Sequence, residues 1–383
     1  MSNIPKVILL LEMSHAAGRK LLRGIIRYSR LRGPWKFYRT PPFYTEESDR
    51  AKVEHLKQID ADGIIARGTS EIIATGLPAI CIDIRTKIPG QPNIAGDNSA
   101  AAQMAAAHLI ERGLRHFAYC GFYDIDWSVE RAEYFTEYLT KAGFEVRHYR
   151  QPSSRRQRLW KNERQVLAQW LKTLPKPVGI MACNDDRAAQ VAEACGIADI
   201  KVPDEIAIIG VDNDELACEL CDPPLSSVAF NFERAGFEAA ALLDKMMRDK
   251  KTYPETIIIK ATHIVTRQST DLLAIDDPQI ADALRFIKNN ARKMIQVDEI
   301  ADAVALTRRV LEKRFRNKLG RSVHEEIVNV RMELVAQMLV ETNMSIANIA
   351  LAFGYSEINN LARCFRKVKG VNPLTFRKQF GIS

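Results

Sequence analysis

Two rhythms of apolar and polar residues divide the chain. Up to about residue 267, short apolar runs alternate with longer stretches of helical spacing. "KVILLLE" (6–12), "DGIIAR" (62–67), "PAICID" (78–83), "HFAYCGF" (116–122), "VGIMACN" (178–184) and "IAIIGVDN" (206–213) are the apolar runs. Each is strand-length and most end in small or polar residues, as buried strands do. Between them "GRKLLRGIIRYSRLRG" (18–33) repeats its apolar residues at three and four, and "DNSAAAQMAAAHLIERG" (97–113) is an Ala-rich helix capped by Asp97 or Asn98 and stopped at Gly113. Strands alternating with helices predict parallel sheets covered on both faces.

From residue 279 the period is helical throughout, and one pattern is written twice. Ile300-Ala301, Ala305, Thr307, Leu311, Phe315 and Gly320 are echoed by Ile349-Ala350, Gly354, Ser356, Leu361, Phe365 and Gly370. The second copy has one extra residue between the turn and its Leu. Leu311 with Phe315, and Leu361 with Phe365, share a helical face. Each copy therefore predicts a short helix, a tight turn and a second helix, the two units joined by the helical stretch 323–341. Gly354 suits the left-handed turn, Thr307 or Ser356 suits the cap that follows, and Asn372-Pro373 fits a cap with proline in the first turn.

Charge sharpens this division. Residues 279–383 hold 18 Lys/Arg against 10 Asp/Glu, whereas the rest of the chain holds 37 against 37. A neutral body carries a basic tail, which predicts a polyanion partner for the tail. With Leu311 and Phe315 buried, Arg309, Lys313 and Arg316 fall on the opposite side, and Asn359, Arg363 and Arg366 do so in the second unit. Arg, Lys and Asn reach base edges in the major groove and neutralise phosphates. Double-stranded DNA is the predicted partner.

The remaining composition mainly excludes. Apolar runs such as "VILLL" (7–11) fall far short of a membrane span, and Glu12 and His15 follow with no small-residue cleavage site. Seven irregularly spaced cysteines give no disulfide framework, and Cys218-x-x-Cys221 lacks a second pair at zinc spacing. No metal, no cofactor, no membrane and a cytoplasmic location are expected.

In open α/β sheets ligands bind beyond the carboxyl ends of strands. Trp127 and Arg131 follow the fourth of these apolar runs, Asn184 and Asp185 lie at the end of the fifth, and Asp212 and Asn213 at the end of the sixth; Glu12, Ser14 and His15 come at the end of the first. Carboxylate, amide and guanidinium groups pair with neighbouring hydroxyls, and an indole offers a face to sugar C–H groups. Taken singly, each has a structural alternative: Asp or Asn as a helix cap, Trp127 as core.

The tail resembles the AraC-type DNA-binding domain on "IADAVALTRRVLEKRF…G", "RMELVAQML", "SIANIALAFGYSEINNLARCFRKVKGVNP" and "TFRKQF". That resemblance points to Arg308, Arg309, Glu312 and Lys313 in the first unit, and to Ile358, Asn359, Asn360 and Arg363 in the second, as base contacts. Ala305 departs from the usual turn glycine, which predicts strain, and Ile358 offers a methyl contact or packing in place of a hydrogen bond. The body resembles the core of lactose-repressor-type regulators on "DNSAAAQMAAAHLIERGLRHFAYCG", "RAEYFTEYLTKAGF", "GIMACNDDRAAQVAEACGI", "VPDEIAIIGVDNDELACELCDPPLSSV" and "TRQST". This implies a two-lobed, periplasmic-binding-protein-like α/β fold in which Arg131, Asn184 and Asp212 contact a sugar and the chain recrosses near "PPLSSV".

The expected organisation is a ligand-binding domain at 4–267, a linker at 268–278 ("QSTDLLAIDDP") and an all-α domain with two helix-turn-helix units at 279–383. One lobe is expected at 4–121 plus 230–250, the other at 122–229 plus 251–267. The domain order resembles that of sugar-operon activators, which implies a homodimer, a pentose (xylose-like) effector and a contact with RNA polymerase. A purine or protein effector is the alternative, since related cores bind purines. An enzyme is disfavoured because P-loop, G-x-G-x-x-G, G-x-S-x-G and H-E-x-x-H motifs are lacking.

Overall fold

The computed structural model describes residues 4–39, 59–67, 72, 74–82, 90–154, 156–271 and 277–381. The apolar runs form two six-stranded sheets. The first has the order β11-β5-β4-β3-β1-β2, from β1 (Lys6–Leu10), β2 (Lys36–Arg39), β3 (Gly63–Arg67), β4 (Ala79–Ile82), β5 (Asn93–Gly96) and β11 (Thr256–Ile259). The second has the order β12-β10-β9-β8-β6-β7, from β6 (His116–Cys120), β7 (Val146–His148), β8 (Val178–Ala182), β9 (Ile206–Asp212), β10 (Ser226–Phe230) and β12 (Ala261–Val265). Every pairing is parallel except β10 with β12. Parallel strands are buried on both faces, which is why β8 and most of β9 are buried end to end and read as unbroken apolar runs.

The lobe boundaries differ from those expected. The chain first leaves the first sheet at Asp97, not after residue 121, because β6 belongs to the second sheet and the helix Asn98–Glu111 packs on β8, β9, β10 and β12. Its Ala-rich surface has little contrast between faces, so its sequence does not say which sheet it covers. The second crossing is at Asn231, just after the strand that begins within "PPLSSV". The third is at Lys260, since β11 returns to the first sheet, whereas 251–267 is expected in the second lobe. The crossings lie side by side: Asp97 donates its N–H to the Ile259 carbonyl at 2.9 Å, and Asn231 donates to that of Lys260 at 3.0 Å. They form a hinge of three strands of backbone.

In the first lobe the helices Ala16–Arg32 and Phe232–Asp249 pack so closely that neither contact tolerates a side chain. A Cβ on Gly24 would lie 1.9 Å from the Glu233 carbonyl oxygen, and one on Gly236 2.0 Å from that of Leu21.

The expected linker begins as structure. Residues Gln268–Thr270 form a 3-10 turn whose Ser269 and Thr270 are fully buried. Thr270 Oγ1 meets Ser226 Oγ at 2.7 Å and His108 Nε2 at 2.8 Å, and Arg112 Nε donates to its carbonyl at 2.6 Å. Burial and the Arg112 charge keep His108 well below the usual imidazole range, so it stays neutral. Residues 272–276, five of the eleven in the expected linker, lie outside the described residues.

The tail is helical, with helices at Pro278–Asn289, Val297–Ala303, Arg308–Leu319, Val323–Glu341, Ile346–Ala352, Ile358–Lys369 and Pro373–Phe380. It is seated on the body at the hinge. Asn231 Nδ2 donates to the Phe380 carbonyl, Arg234 Nη1 to the Lys378 carbonyl, and Lys260 Nζ lies 5.7 Å from the Phe380 ring centre. His263 Nε2 and Glu341 Oε1 are 3.2 Å apart. On the other side Lys288 Nζ pairs with Asp271 at 2.7 Å.

Candidate DNA interface and effector cleft

Both helix-turn-helix units form where the repeat places them. Leu311, Phe315, Leu361 and Phe365 are all 0% exposed and anchor the second helix of each unit. Arg308, Arg309, Lys313 and Arg316 are exposed on the first, and Ile358, Asn359, Asn360, Arg363 and Arg366 on the second; Glu312 is half-buried. Arg308 is held by Asp298 at 3.0 Å, so it is less free than its neighbours. Thr307 caps the first of these helices through the Val310 N–H at 3.4 Å. Ser356 does not cap the second: the preceding residue is Glu357, whose side chain makes no capping bond. Asn372 caps the last helix through the Thr375 N–H at 2.8 Å. Ala305 sits at φ 52° and Gly354 at φ 73°, so both turns are left-handed and the first is strained by its Cβ.

Arg331, 2% exposed in the joining helix, binds the units together. One terminal nitrogen donates to the carbonyls of Ala291, at 3.1 Å, and Lys293, which precede the first unit. The other donates to the Phe353 carbonyl in the turn of the second. Its guanidinium also lies 5.3 Å from the Tyr355 ring centre. This residue is silent in the helical pattern, where it appears as one more basic position.

In the body, Arg131 gathers several of the expected ligand residues around it. It is 5% exposed, donates from Nε to Asn98 Oδ1 at 2.8 Å and from Nη1 to the Cys183 carbonyl. Its guanidinium lies 4.8 Å from the Trp127 ring centre and 5.4 Å from that of Phe230, and Nη2 is 3.8 Å from Asp212 Oδ1. Asp212 occupies φ 102° and Asn213 φ 48°. Such backbone costs of order 1–3 kcal/mol and collects at functional sites. Burial pushes the Asp212 carboxyl up to about 6, with Arg131 pulling it down and Asp186 adding to the rise. Among the described residues nothing donates a hydrogen bond to that carboxylate.

The other expected ligands are placed less directly. Asn184 caps the helix Asp185–Ala198 through the Arg187 N–H at 3.0 Å, which leaves its amide nitrogen only a 3.5 Å contact with Asp186. Asp185 is buried and its oxygens are already filled. Ser227 Oγ donates to one at 2.5 Å and the Asp214 N–H to the other at 2.7 Å. Burial and the Asp212 charge raise it to about 8. It supports the turn that ends β9. Glu12 is exposed and accepts the Ser14 N–H at 3.0 Å, which holds it below the usual carboxylate range. Asn98, Phe230 and Asp214 were not anticipated as site residues. Asn98 and Asp214 resemble ordinary helix-start residues, and Phe230 an ordinary strand end.

Burial raises the thiols of both Cys218 and Cys221, which opposes thiolate chemistry there. Among the described residues no cluster of His, Cys, Asp or Glu could hold a metal ion, and no helix is long and apolar enough to cross a membrane.

Residues 106–270 match a periplasmic binding protein-like domain and 300–379 a helix-turn-helix domain. The chain is 30% identical to the xylose operon regulatory protein of Escherichia coli K12 over 97% of this chain and 96% of that one. It is 31% identical to the protein of that name from Haemophilus influenzae, over 97% and 98%. A solved structure of a xylose-binding transcription activator aligns over 99% of both chains with a TM-score of 0.60 and 27% identity. The body alone, 70% of the chain, shares its fold with a periplasmic binding protein/LacI-type regulator from Alkaliphilus metalliredigens at a TM-score of 0.57 and 20% identity.

Proposed function

This chain belongs to the family of the xylose operon regulatory proteins, sugar-responsive DNA-binding transcription regulators, and on that premise we propose that its effector is a xylose-like pentose bound between the lobes. Asp212, Arg131, Asn184 and Trp127 are the contacts, with Asn98 and Phe230 fixing Arg131 in place. The observation that carries this is the Asp212 carboxylate. It projects from a strained turn, is fixed beside a buried arginine, and keeps its hydrogen-bond capacity unspent, while both oxygens of Asp185 already accept hydrogen bonds. A carboxylate beside a guanidinium matches the adjacent hydroxyls of a sugar. Trp127 offers its ring to the sugar's C–H face.

The regulator acts as an activator and as a homodimer, presenting four helix-turn-helix units to one operator and a surface to RNA polymerase. Sugar shifts the lobes toward one arrangement because it binds that arrangement more tightly. The tail is fastened to the hinge through Asn231, Arg234 and Lys260, and to the second lobe through Asp271, so lobe movement reaches the DNA-binding surface.

Thermal unfolding against a panel of monosaccharides and purines, beginning with D-xylose, tests the effector. At 100 times its dissociation constant a ligand stabilises the protein by about 2.7 kcal/mol. A pentose-induced shift that Asp212→Ala abolishes is the expected result, and a shift by purines alone replaces the sugar with a nucleobase. For DNA, Arg309→Ala and Asn359→Ala are expected to weaken operator binding in an electrophoretic shift assay. Unchanged affinity in both removes those helices from the interface.

A further inference from the structure

The turn that ends β9 reaches across the cleft as well as into it. Asp214 Oδ2 accepts the backbone N–H of Ala16 at 2.6 Å, and Ala16 opens the helix Ala16–Arg32 of the opposite lobe. Arg19 Nη2 lies 3.7 Å from the same oxygen, and Lys20 Nζ donates to the Asn213 carbonyl at 3.1 Å. His15 Nδ1 and Asp186 Oδ2 approach to 3.5 Å beside them. A helix start leaves its first N–H groups without internal partners. His15, the residue before this helix, makes no side-chain capping bond. Asp214 therefore supplies from the other lobe the cap that the helix's own sequence lacks.

The same turn is fixed from within. Asp185 holds the Asp214 N–H at 2.7 Å and the Ser227 hydroxyl at 2.5 Å, and Ser227 Oγ accepts the Asn213 N–H at 3.0 Å. Residues 212–214 thus move as one piece, with Asp212 toward the cleft and Asp214 toward the facing lobe.

We infer that Asp214 is the closure latch of the sensor, a positioning residue that touches no sugar and sets how long the effector is retained. The inference rests on the cleft between the lobes being the effector site. A cap made across the hinge is broken whenever the lobes part, so it stabilises the closed arrangement alone and shifts the balance toward it. Sugar at Asp212 and the latch at Asp214 favour the same arrangement from the same turn, and the loss of an interaction of this kind appears mainly in the release rate.

The test uses the full chain, with hydrogen exchange resolved at the Ala16 amide and stopped-flow kinetics with D-xylose. Asp214→Ala is expected to speed both Ala16 exchange and xylose release roughly tenfold, with association changing less. Asp214→Asn keeps an acceptor and is expected to restore most of the difference. Lys20→Met removes one contact from the opposite lobe, leaves the turn untouched, and is expected to move both rates in the same direction. Unchanged Ala16 exchange and release in Asp214→Ala and Lys20→Met overturns the latch. Should Asp214→Ala fail to fold, Lys20→Met decides by the same two rates. Wild-type protein that does not bind D-xylose overturns the xylose proposal instead, and Ala16 exchange in the sugar-free variants still decides the latch.

Discussion

Arg131 Nη2 stands 3.8 Å from Asp212 Oδ1, close enough to favour the carboxylate yet too far to satisfy it. Burial wins over this attraction and lifts the group to about 6. Sugar hydroxyls donate to the ionised form, so D-xylose should bind about tenfold more weakly at pH 5 than at pH 7.5. Isothermal titration across that range checks it, with Asp212→Asn weaker and flatter. Stability of the sugar-free protein runs the other way. The folded carboxyl holds its proton to higher pH than the unfolded one, so its contribution is present below about pH 4 and lost as pH rises through 6.

Asp185 extends that second slope. Raised to about 8, it favours the folded state at low pH and ceases to do so as pH climbs from about 4 through 8. Asp185→Asn should flatten the fall in Tm between pH 6 and 9. Asp185→Ala should lower Tm at every pH by leaving the buried Asp214 N–H unpaired, a cost of about 1–3 kcal/mol. Calorimetry of the two variants distinguishes these effects.

Arg331 donates to carbonyls on both sides of the joining helix. Arg331→Met should destabilise the tail by about 3 kcal/mol, because the carbonyls stay buried after the cation has gone. It should also weaken operator binding although Arg331 reaches no DNA, since the spacing of the two recognition helices depends on it. Thermal unfolding and a shift assay below the new Tm check both, and Arg331→Lys should not rescue because one ammonium cannot span the carbonyls.

Ala305 holds a left-handed backbone at φ 52°. For a residue with a Cβ this costs about 1–2 kcal/mol, partly offset in glycine by unfolded-chain entropy. Ala305→Gly should raise Tm by a few degrees and leave operator affinity unchanged. A fall in Tm would show that the Cβ packs usefully.

The sequence shows most plainly what depends on local periodicity. Leu311 with Phe315 and Leu361 with Phe365 fix the buried faces of both recognition helices, and so the exposed ones. The apolar runs marked β1, β3, β4, β6, β8 and β9, because parallel strands are apolar on both faces. Edge strands such as β7 and β11, part polar and three or four residues long, carry no such mark. Lobe membership and the partners of Asp185 are not legible for one reason: each depends on what lies opposite in space. Asp185 and Asp212 both lie at the carboxyl end of a strand, yet one is closed in by Ser227 and Asp214 and the other faces Arg131. Arg331 is likewise indistinguishable from a surface arginine until the carbonyls of Ala291 and Phe353 are brought to it.

Because Asn231, Arg234 and Lys260 grip the end of the last helix while Asp271 grips Lys288, the halves of this protein are not interchangeable modules. A chimera joined within 272–276 to a foreign sensor would keep two intact folds and lose the fasteners between them. It would bind its operator and its new ligand, each indifferent to the other. Building a working biosensor on this scaffold means grafting the hinge residues along with the cleft.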